Sequence, residues 1–318
     1  MSERRPAPQL SEWTVRSRNP DRLSISRPED FALDGGRPVD PSRVREPDVS
    51  PYCFDLPNRS LVCVSTPDIS GEVFFYQAQR ELARSVIRLP VEMLPPGPSS
   101  PALIFSIGRC GSTLLVKAFQ AAGLAAVSEP DFFRQAAYYH SSGISLQAVL
   151  PGATALLRHS VIKLHLECNN APLPIAGAFR MPRVLFILRD PIDWAASLRR
   201  ISRNSIDPRW AAALLRTGLI ALDQLAQSYE VRVCYYEEFR ELRPEHVAPL
   251  LAWAGSQASL GPERLAAIAA KDAQDGTFVS RASLRDVPED AGFREAFRRE
   301  WSLRRPVEVI DRLGLQLL

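Results

Sequence analysis

Four short apolar runs constrain this chain most: ALIFSI (102–107), VIKLHL (161–166), VLFIL (184–188) and VRVCYY (231–236). Uninterrupted apolar runs of this length suit strands covered on both faces, as in a parallel sheet. Between and after them, apolar residues recur at helical spacing over 113–122, 191–202, 209–228, 244–254, 261–271 and 289–301. Pro191 and Pro244 stand near two of the expected helix starts, where a proline is tolerated. Helices joining parallel strands are right-handed crossovers, so the expected class is α/β, a parallel sheet flanked by helices. The pattern shows no internal repeat.

The first 98 residues read differently. Residues 1–48 hold seven prolines, nine arginines and nine acidic residues with few consecutive apolar positions, and are expected as a partly extended, partly disordered arm. SLVCVST (60–66) alternates like a strand, and FFYQAQRELARSVIRL (74–89) carries apolar residues at helical spacing, so a small strand-helix element is expected there. LPPGPSSP (94–101) then interrupts any regular element. We place a boundary near residue 98, giving 1–98 as arm plus small element and 99–318 as the α/β domain.

With 39 basic against 36 acidic residues the net charge is only +3, too balanced for a general nucleic-acid or membrane binder, so any anion site has to be local. Among the basic residues only Lys117, Lys163 and Lys271 are lysines. A position that keeps lysine against that background is a candidate for needing a compact ammonium instead of a planar fork. Cys53, Cys63, Cys110, Cys168 and Cys234 are scattered without metal-ligand spacing. With no charged-then-apolar leader and no apolar run near the roughly 18 residues of a membrane span, a reducing, cytoplasmic setting is expected.

The run ALIFSI leads into GRCGST (108–113), and an apolar helical pattern follows. A tight turn between strand and helix presents free N–H groups and the positive end of the helix dipole, which suits phosphate or sulfate. Ser112 and Thr113 add hydroxyls, and Gly111 permits close approach. The lysine of the GxxxxGK[ST] nucleotide loop is missing, and the basic residue is Arg109 at the front of the turn. A phosphatase nucleophile at Cys110 would need an arginine at position 116, which is Val116; a small buried cysteine is the better account.

VLFILRDPIDWAASLRR (184–200) places Arg189 at a strand's carboxyl end and Ser197 eight residues later on a helix. With this second motif the sequence resembles the sulfotransferase family, whose donor is 3′-phosphoadenosine 5′-phosphosulfate (PAPS). Arg109, Cys110, Gly111, Ser112 and Thr113 resemble its 5′-phosphosulfate loop, with cysteine for the common serine. Leu114 departs from the tryptophan of the cytosolic enzymes, so the loop looks more like bacterial and carbohydrate sulfotransferases. Arg189 and Ser197 resemble the 3′-phosphate motif. Lys163 and His165 resemble the family's Lys-x-His strand, which implies that His165 is the base and that Lys163 supports transfer. Tyr236 in VCYYEEF (233–239) resembles the tyrosine beside the adenine. The late Arg-Lys-Gly element is not evident, and Phe278 to Arg281 in GTFVSRAS takes its place, with Arg281 a second candidate for the 3′-phosphate. Glu129 in VSEPDFF resembles the Glu-Pro element of carbohydrate-type enzymes and rivals His165 as base, or anchors the acceptor.

The resemblance covers roughly residues 100–285 and implies a P-loop-like α/β fold. The implied activity is sulfuryl transfer from PAPS, without a metal, to a hydroxyl or amine of a small-molecule or carbohydrate acceptor. The product nucleotide would be 3′-phosphoadenosine 5′-phosphate (PAP). Two alternatives stay open: a non-catalytic nucleotide-binding module acting on a partner through residues 1–98, and a nucleotide kinase-like transferase, which the missing loop lysine disfavours. No nucleic-acid or membrane partner is expected, and the oligomeric state is not legible. His140, His159 and His246 carry no supporting pattern. DFFRQAAYYH (131–140) reads equally as an acceptor wall or a core helix.

Overall fold

The computed structural model describes residues 10–21, 23–98, 100–288 and 290–317. Strands β1 (Leu10–Arg18) and β2 (Phe31–Val39) pair antiparallel, as do β3 (Val49–Asp55) and β4 (Ser60–Ser65). Helix α1 (Phe75–Leu82) then leads to β5 (Ser85–Pro90), which inserts between β1 and β4. The result is a five-stranded antiparallel sheet in the order β2-β1-β5-β4-β3.

This sheet corrects the expected arm. Most of residues 10–48 are paired strand or short one-turn helix, while residues 1–9 of the expected arm lie outside the described residues. Two features conceal the strands in the sequence. Register shifts in β1, between Glu12 and Thr14 and between Val15 and Ser17, break the alternation that marks a half-buried strand. Pro38 lies in β2 and Pro51 in β3, the two edge strands, where a missing N–H is tolerated. The charge of the segment is internally paired: Arg43 meets Asp48 at 2.7 Å and Glu12 at 3.1 Å, and buried Arg80 meets buried Asp30 at 3.0 Å. The expected helix over 74–89 also stops early, because Ala83 leaves the helical region and Ser85–Pro90, rich in strand-favouring residues, pairs with β4.

The second sheet is the expected parallel one, with one short strand beyond the four read from the sequence. It contains β6 (Ala102–Ser106), β7 (Ala126–Ser128), β8 (Val161–Lys163), β9 (Arg183–Leu188) and β10 (Val231–Tyr235) in the order β10-β9-β6-β8-β7, with every pair parallel. Between β6 and β10 run α2 (Ser112–Ala121), α3 (Asp131–Ser141), α4 (Leu150–Leu157), α5 (Pro172–Ala176), α6 (Pro191–Ile201) and α7 (Pro208–Ser228). After β10 come α8 (Tyr236–Phe239), α9 (Pro244–Trp253), α10 (Pro262–Ala270), α11 (Ala291–Arg304) and α12 (Val307–Arg312). Residues of β6 and β9 such as Leu103, Phe105, Leu185 and Phe186 are fully buried, as strands covered on both faces must be. From β6 the chain crosses to the edge as β7, comes back to insert β8 between β6 and β7, and then passes to the other side as β9. That reversal opens a crevice at the carboxyl ends of β6, β8 and β9, the usual ligand position in an open α/β sheet.

The two sheets share one core. Phe54, Leu61, Cys63, Ile87 and Leu89 join the apolar cluster that holds the parallel strands, while Tyr52, Val62, Val64 and Val86 pack on the opposite face with Phe31. Polar contacts complete the junction. The buried Gln135 amide on α3 accepts from the Phe54 N–H at 2.6 Å and donates to the Phe54 carbonyl at 2.7 Å, and the Asp131 carboxylate accepts from the Ser26 N–H at 2.5 Å. DFFRQAAYYH is thus a core helix, with Phe132 and Phe133 fully buried.

Candidate functional site

After β6 the chain turns through Gly108 (φ +71°), Arg109 (φ +53°) and Gly111 (φ +73°) before α2 begins at Ser112. The N–H groups of Arg109, Cys110 and Gly111 make no backbone hydrogen bond among the described residues. Such a turn, opening onto a helix N-terminus, forms a concave set of donors suited to an anion. Trp194, buried on α6, holds the turn from beneath by donating its indole N–H to the carbonyls of Ile107 and Gly108 at 3.1 and 3.0 Å.

Gly111 is required twice over. Its φ is left-handed, and a Cβ there would lie 2.4 Å from the Tyr236 ring. Gly111→Ala therefore strains the backbone and displaces Tyr236, and we expect a loss of about 1–3 kcal/mol in stability together with loss of anion affinity at the turn. Chemical denaturation and calorimetric titration check this; unchanged values in both would remove the turn from the site.

The loop faces a cavity of about 430 Å³. Of the residues singled out in the sequence, Arg109, Gly111, Ser112, Thr113, Leu114, Glu129, Lys163, His165, Arg189, Ser197, Tyr236 and Arg281 all line it. Cys110 does not: its side chain is fully buried, where burial pushes the thiol up, so only its backbone belongs to the loop. The cavity is locally basic, since among the described residues Arg109, Lys163, Arg189, Arg200, Lys271 and Arg281 line it beside only two carboxylates, Glu129 and Asp272.

At one end, Arg189 projects from beyond β9. It donates to the Arg109 carbonyl at 3.0 Å and stacks over the Tyr236 ring at 4.9 Å, while its buried Nε finds no partner among the described residues. Arg109 reaches Ser197 Oγ at 3.4 Å through Nε and the Gln274 carbonyl oxygen at 2.6 Å through Nη1. Burial, together with the neighbouring Arg189 guanidinium, lowers the Arg109 pKa to about 10. Two half-buried guanidinium groups held close together become favourable once an anion lies between them.

At the other end stand Glu129, Lys163 and His165. The strand carrying Lys163 ends at that residue, so His165 lies beyond β8 in extended backbone, just before a one-turn 3-10 helix (Leu166–Asn170), and not on the strand as expected. Glu129, at the end of β7, has a left-handed φ of +61°, and its N–H donates to the Lys163 carbonyl at 2.7 Å. The Lys163 ammonium forms a buried ion pair with the Glu129 carboxylate. Burial alone would raise the Glu129 carboxyl, but the charges of Lys163 and His165 outweigh it and hold the carboxyl below its ordinary value. Glu129 Oε2 lies 3.7 Å from His165 Nε2, and the other ring nitrogen, Nδ1, is hydrogen-bonded to Glu167. Burial works against a charged His165, yet Glu129 and Glu167 prevail and raise it above its ordinary value.

The structure adds residues that the sequence did not mark. Lys271 and Arg200 line the cavity, and Gln274 and Asp272 organise the segment after α10, where Asp272 accepts from the Arg281 N–H. Lys271 had a signal, the scarcity of lysine: two of the three lysines, Lys163 and Lys271, border the cavity. From the antiparallel sheet side come Leu23, Phe74, Tyr76 and Gln77. The Tyr76 ring meets His165 edge-on at 6.0 Å, and Phe74 stacks with Phe278 at 6.1 Å.

No protein-family model matches the chain, and no curated protein matches it. Among solved structures it is similar to a sulfotransferase from Alicyclobacillus acidocaldarius, with 13% identity, a TM-score of 0.46, and coverage of 70% of this chain and 98% of that one. It is likewise similar to retinol dehydratase in complex with androsterone and the inactive cofactor PAP, with 15% identity, a TM-score of 0.41, and coverage of 71% and 84%. A third similar structure is the sulfotransferase domain of the Synechococcus olefin synthase, with 14% identity, a TM-score of 0.40, and coverage of 70% and 98%.

Proposed function

We propose that the chain is a sulfotransferase that moves a sulfuryl group from PAPS to a hydroxyl or amine of a small-molecule or carbohydrate acceptor. The observation that carries this reading is the meeting, in one basic cavity, of the anion-binding turn with Arg189, Ser197 and Tyr236 at one end and Lys163 and His165 at the other. Bound there, the donor supplies a sulfonate already activated by a phosphate leaving group. The residues present fit it: the Arg109–Arg189 repulsion and the Arg189 Nε, which has no partner among the described residues, both call for an anion.

In this reading Arg109, Ser112, Thr113 and the turn N–H groups hold the phosphosulfate end. Arg189 and Ser197, with Arg281 and Lys271 from the segment after α10, hold the 3′-phosphate. Tyr236 and Leu114 border the base. His165 accepts the acceptor's proton at Nε2, and preorganised cations offset the charge that develops during in-line transfer. Burial first, and then the charge of Glu129, push the Tyr76 phenol well above its ordinary value. It stays protonated and can donate to an acceptor oxygen. Leu23, Phe74 and Gln77 supply the rest of that wall, which gives the residues before position 98 the acceptor side. All five cysteines are free and buried, which supports the reducing, cytoplasmic setting that belongs to the same proposal. Among the described residues no helix is long and apolar enough to cross a membrane.

Calorimetric titration of the full chain with PAP, ADP and ATP tests the reading. PAP should bind at least about tenfold more tightly than ADP, since a buried charged contact to the 3′-phosphate contributes more than about 1.4 kcal/mol. A preference for ATP would overturn the proposal.

A further inference from the structure

We infer that Glu167 is a positioning residue that sets the tautomer and basicity of His165, an assignment that rests on the sulfuryl-transfer reading for its catalytic meaning but not for its geometry. Glu167 Oε2 is hydrogen-bonded to His165 Nδ1, while its other oxygen lies 3.3 Å from Arg134 Nε. Arg134 in turn lies 3.7 Å from buried Asp131 and donates to the Leu23 carbonyl at 3.2 Å. The carboxylate is therefore gripped from α3, and the same guanidinium ties down the loop that carries Leu23 into the cavity. A neutral imidazole with its proton on Nδ1 facing Glu167 has its lone pair on Nε2, the nitrogen nearer the cavity carboxylate Glu129. That is the tautomer a base needs.

Among the described residues the charged and titratable groups around the ring are Glu129, Lys163, Glu167, Arg134, Asp131 and the Tyr76 phenol. Glu167 itself is held down to about 2, against the effect of its burial, by His165 and Arg134. Both carboxylates favour the protonated ring, and only Glu167 hydrogen-bonds the nitrogen that must keep its proton. Removing its charge should make His165 easier to deprotonate and, because an amide can donate to Nδ1, should release the tautomer.

The experiment is histidine-selective NMR of the full chain, wild type and Glu167→Gln, across pH, with His165→Gln identifying the resonance among His140, His159, His165 and His246. Wild-type His165 is expected to titrate above its ordinary value of about 6.5 and to be Nδ1-protonated when neutral. Glu167→Gln is expected to shift the midpoint down by about one unit and to raise the Nε2-protonated form, with Glu167→Asp restoring part of the wild-type behaviour. An unchanged midpoint and tautomer in Glu167→Gln overturns the inference whether or not sulfuryl transfer is found. Where transfer is measured, Glu167→Gln should lower kcat about tenfold or more and move the acid limb of the pH profile downward, with PAP affinity unchanged; equal kcat and an unmoved limb also overturn it. Failure of wild type to bind PAP strikes the functional reading alone, since the resonance arm needs no nucleotide.

Discussion

Arg189→Ala is expected to weaken PAP binding by about 2–5 kcal/mol, the range for truncating one member of a buried charge pair. The same substitution should cost adenosine 5′-phosphosulfate much less, because that ligand lacks the 3′-phosphate. The comparison matters because Arg189 also supports the turn, donating to the Arg109 carbonyl at 3.0 Å and stacking on Tyr236. Loosening the turn should affect both ligands alike. The difference between them therefore isolates the contact made by the guanidinium itself. Arg189→Lys should recover charge but not the fork, leaving an intermediate loss. Calorimetry with both nucleotides provides the measurement, and equal losses for the two would detach Arg189 from the 3′-phosphate.

The central strands β6 and β9 were legible because they are buried on both faces, which writes them into the sequence as apolar runs, whereas the three-residue β7 left no run to read. The end of the cavity formed by the turn, Arg189 and Ser197 was legible for a related reason: a turn from a buried strand to a helix leaves little freedom in residue type, and the eight-residue step from Arg189 to Ser197 brings both to one crevice. The antiparallel sheet was not legible. Its edge strands accept Pro38 and Pro51, its bulges break the period of two, and its arginines look solvated until Asp30, Asp48 and Glu12 are seen beside them. Tyr76 was concealed differently, since at helical spacing an aromatic residue reads as core. Here it is buried and also borders the cavity. Glu167 carried no signal, because a carboxylate just past a strand usually faces water.

The rivalry between His165 and Glu129 that the sequence left open now has a structural asymmetry. Glu129 is buried against the Lys163 ammonium, and a carboxylate held below its ordinary pKa by that charge is a weak base. His165 is raised above its ordinary value instead, which makes its ring the stronger base of the two. His165→Ala is thus expected to lower kcat by roughly 10²–10⁴-fold with little change in PAP affinity. Glu129→Gln should act first on stability, by about 3–5 kcal/mol, because it leaves Lys163 charged, buried and unpaired. The pH dependences separate the two roles further. A His165 pKa raised by folding contributes stability that is fully present below the unfolded-state pKa of about 6.5 and is lost as pH rises through the higher folded value. Activity runs the opposite way, since the base must be neutral, so kcat should climb over the pH interval in which this stability contribution fades. In His165→Ala both trends should vanish together. Denaturation and turnover measured across the same pH series decide the matter. A Glu129→Gln protein of wild-type stability but without turnover, beside an active His165→Ala, would transfer the role of base to Glu129.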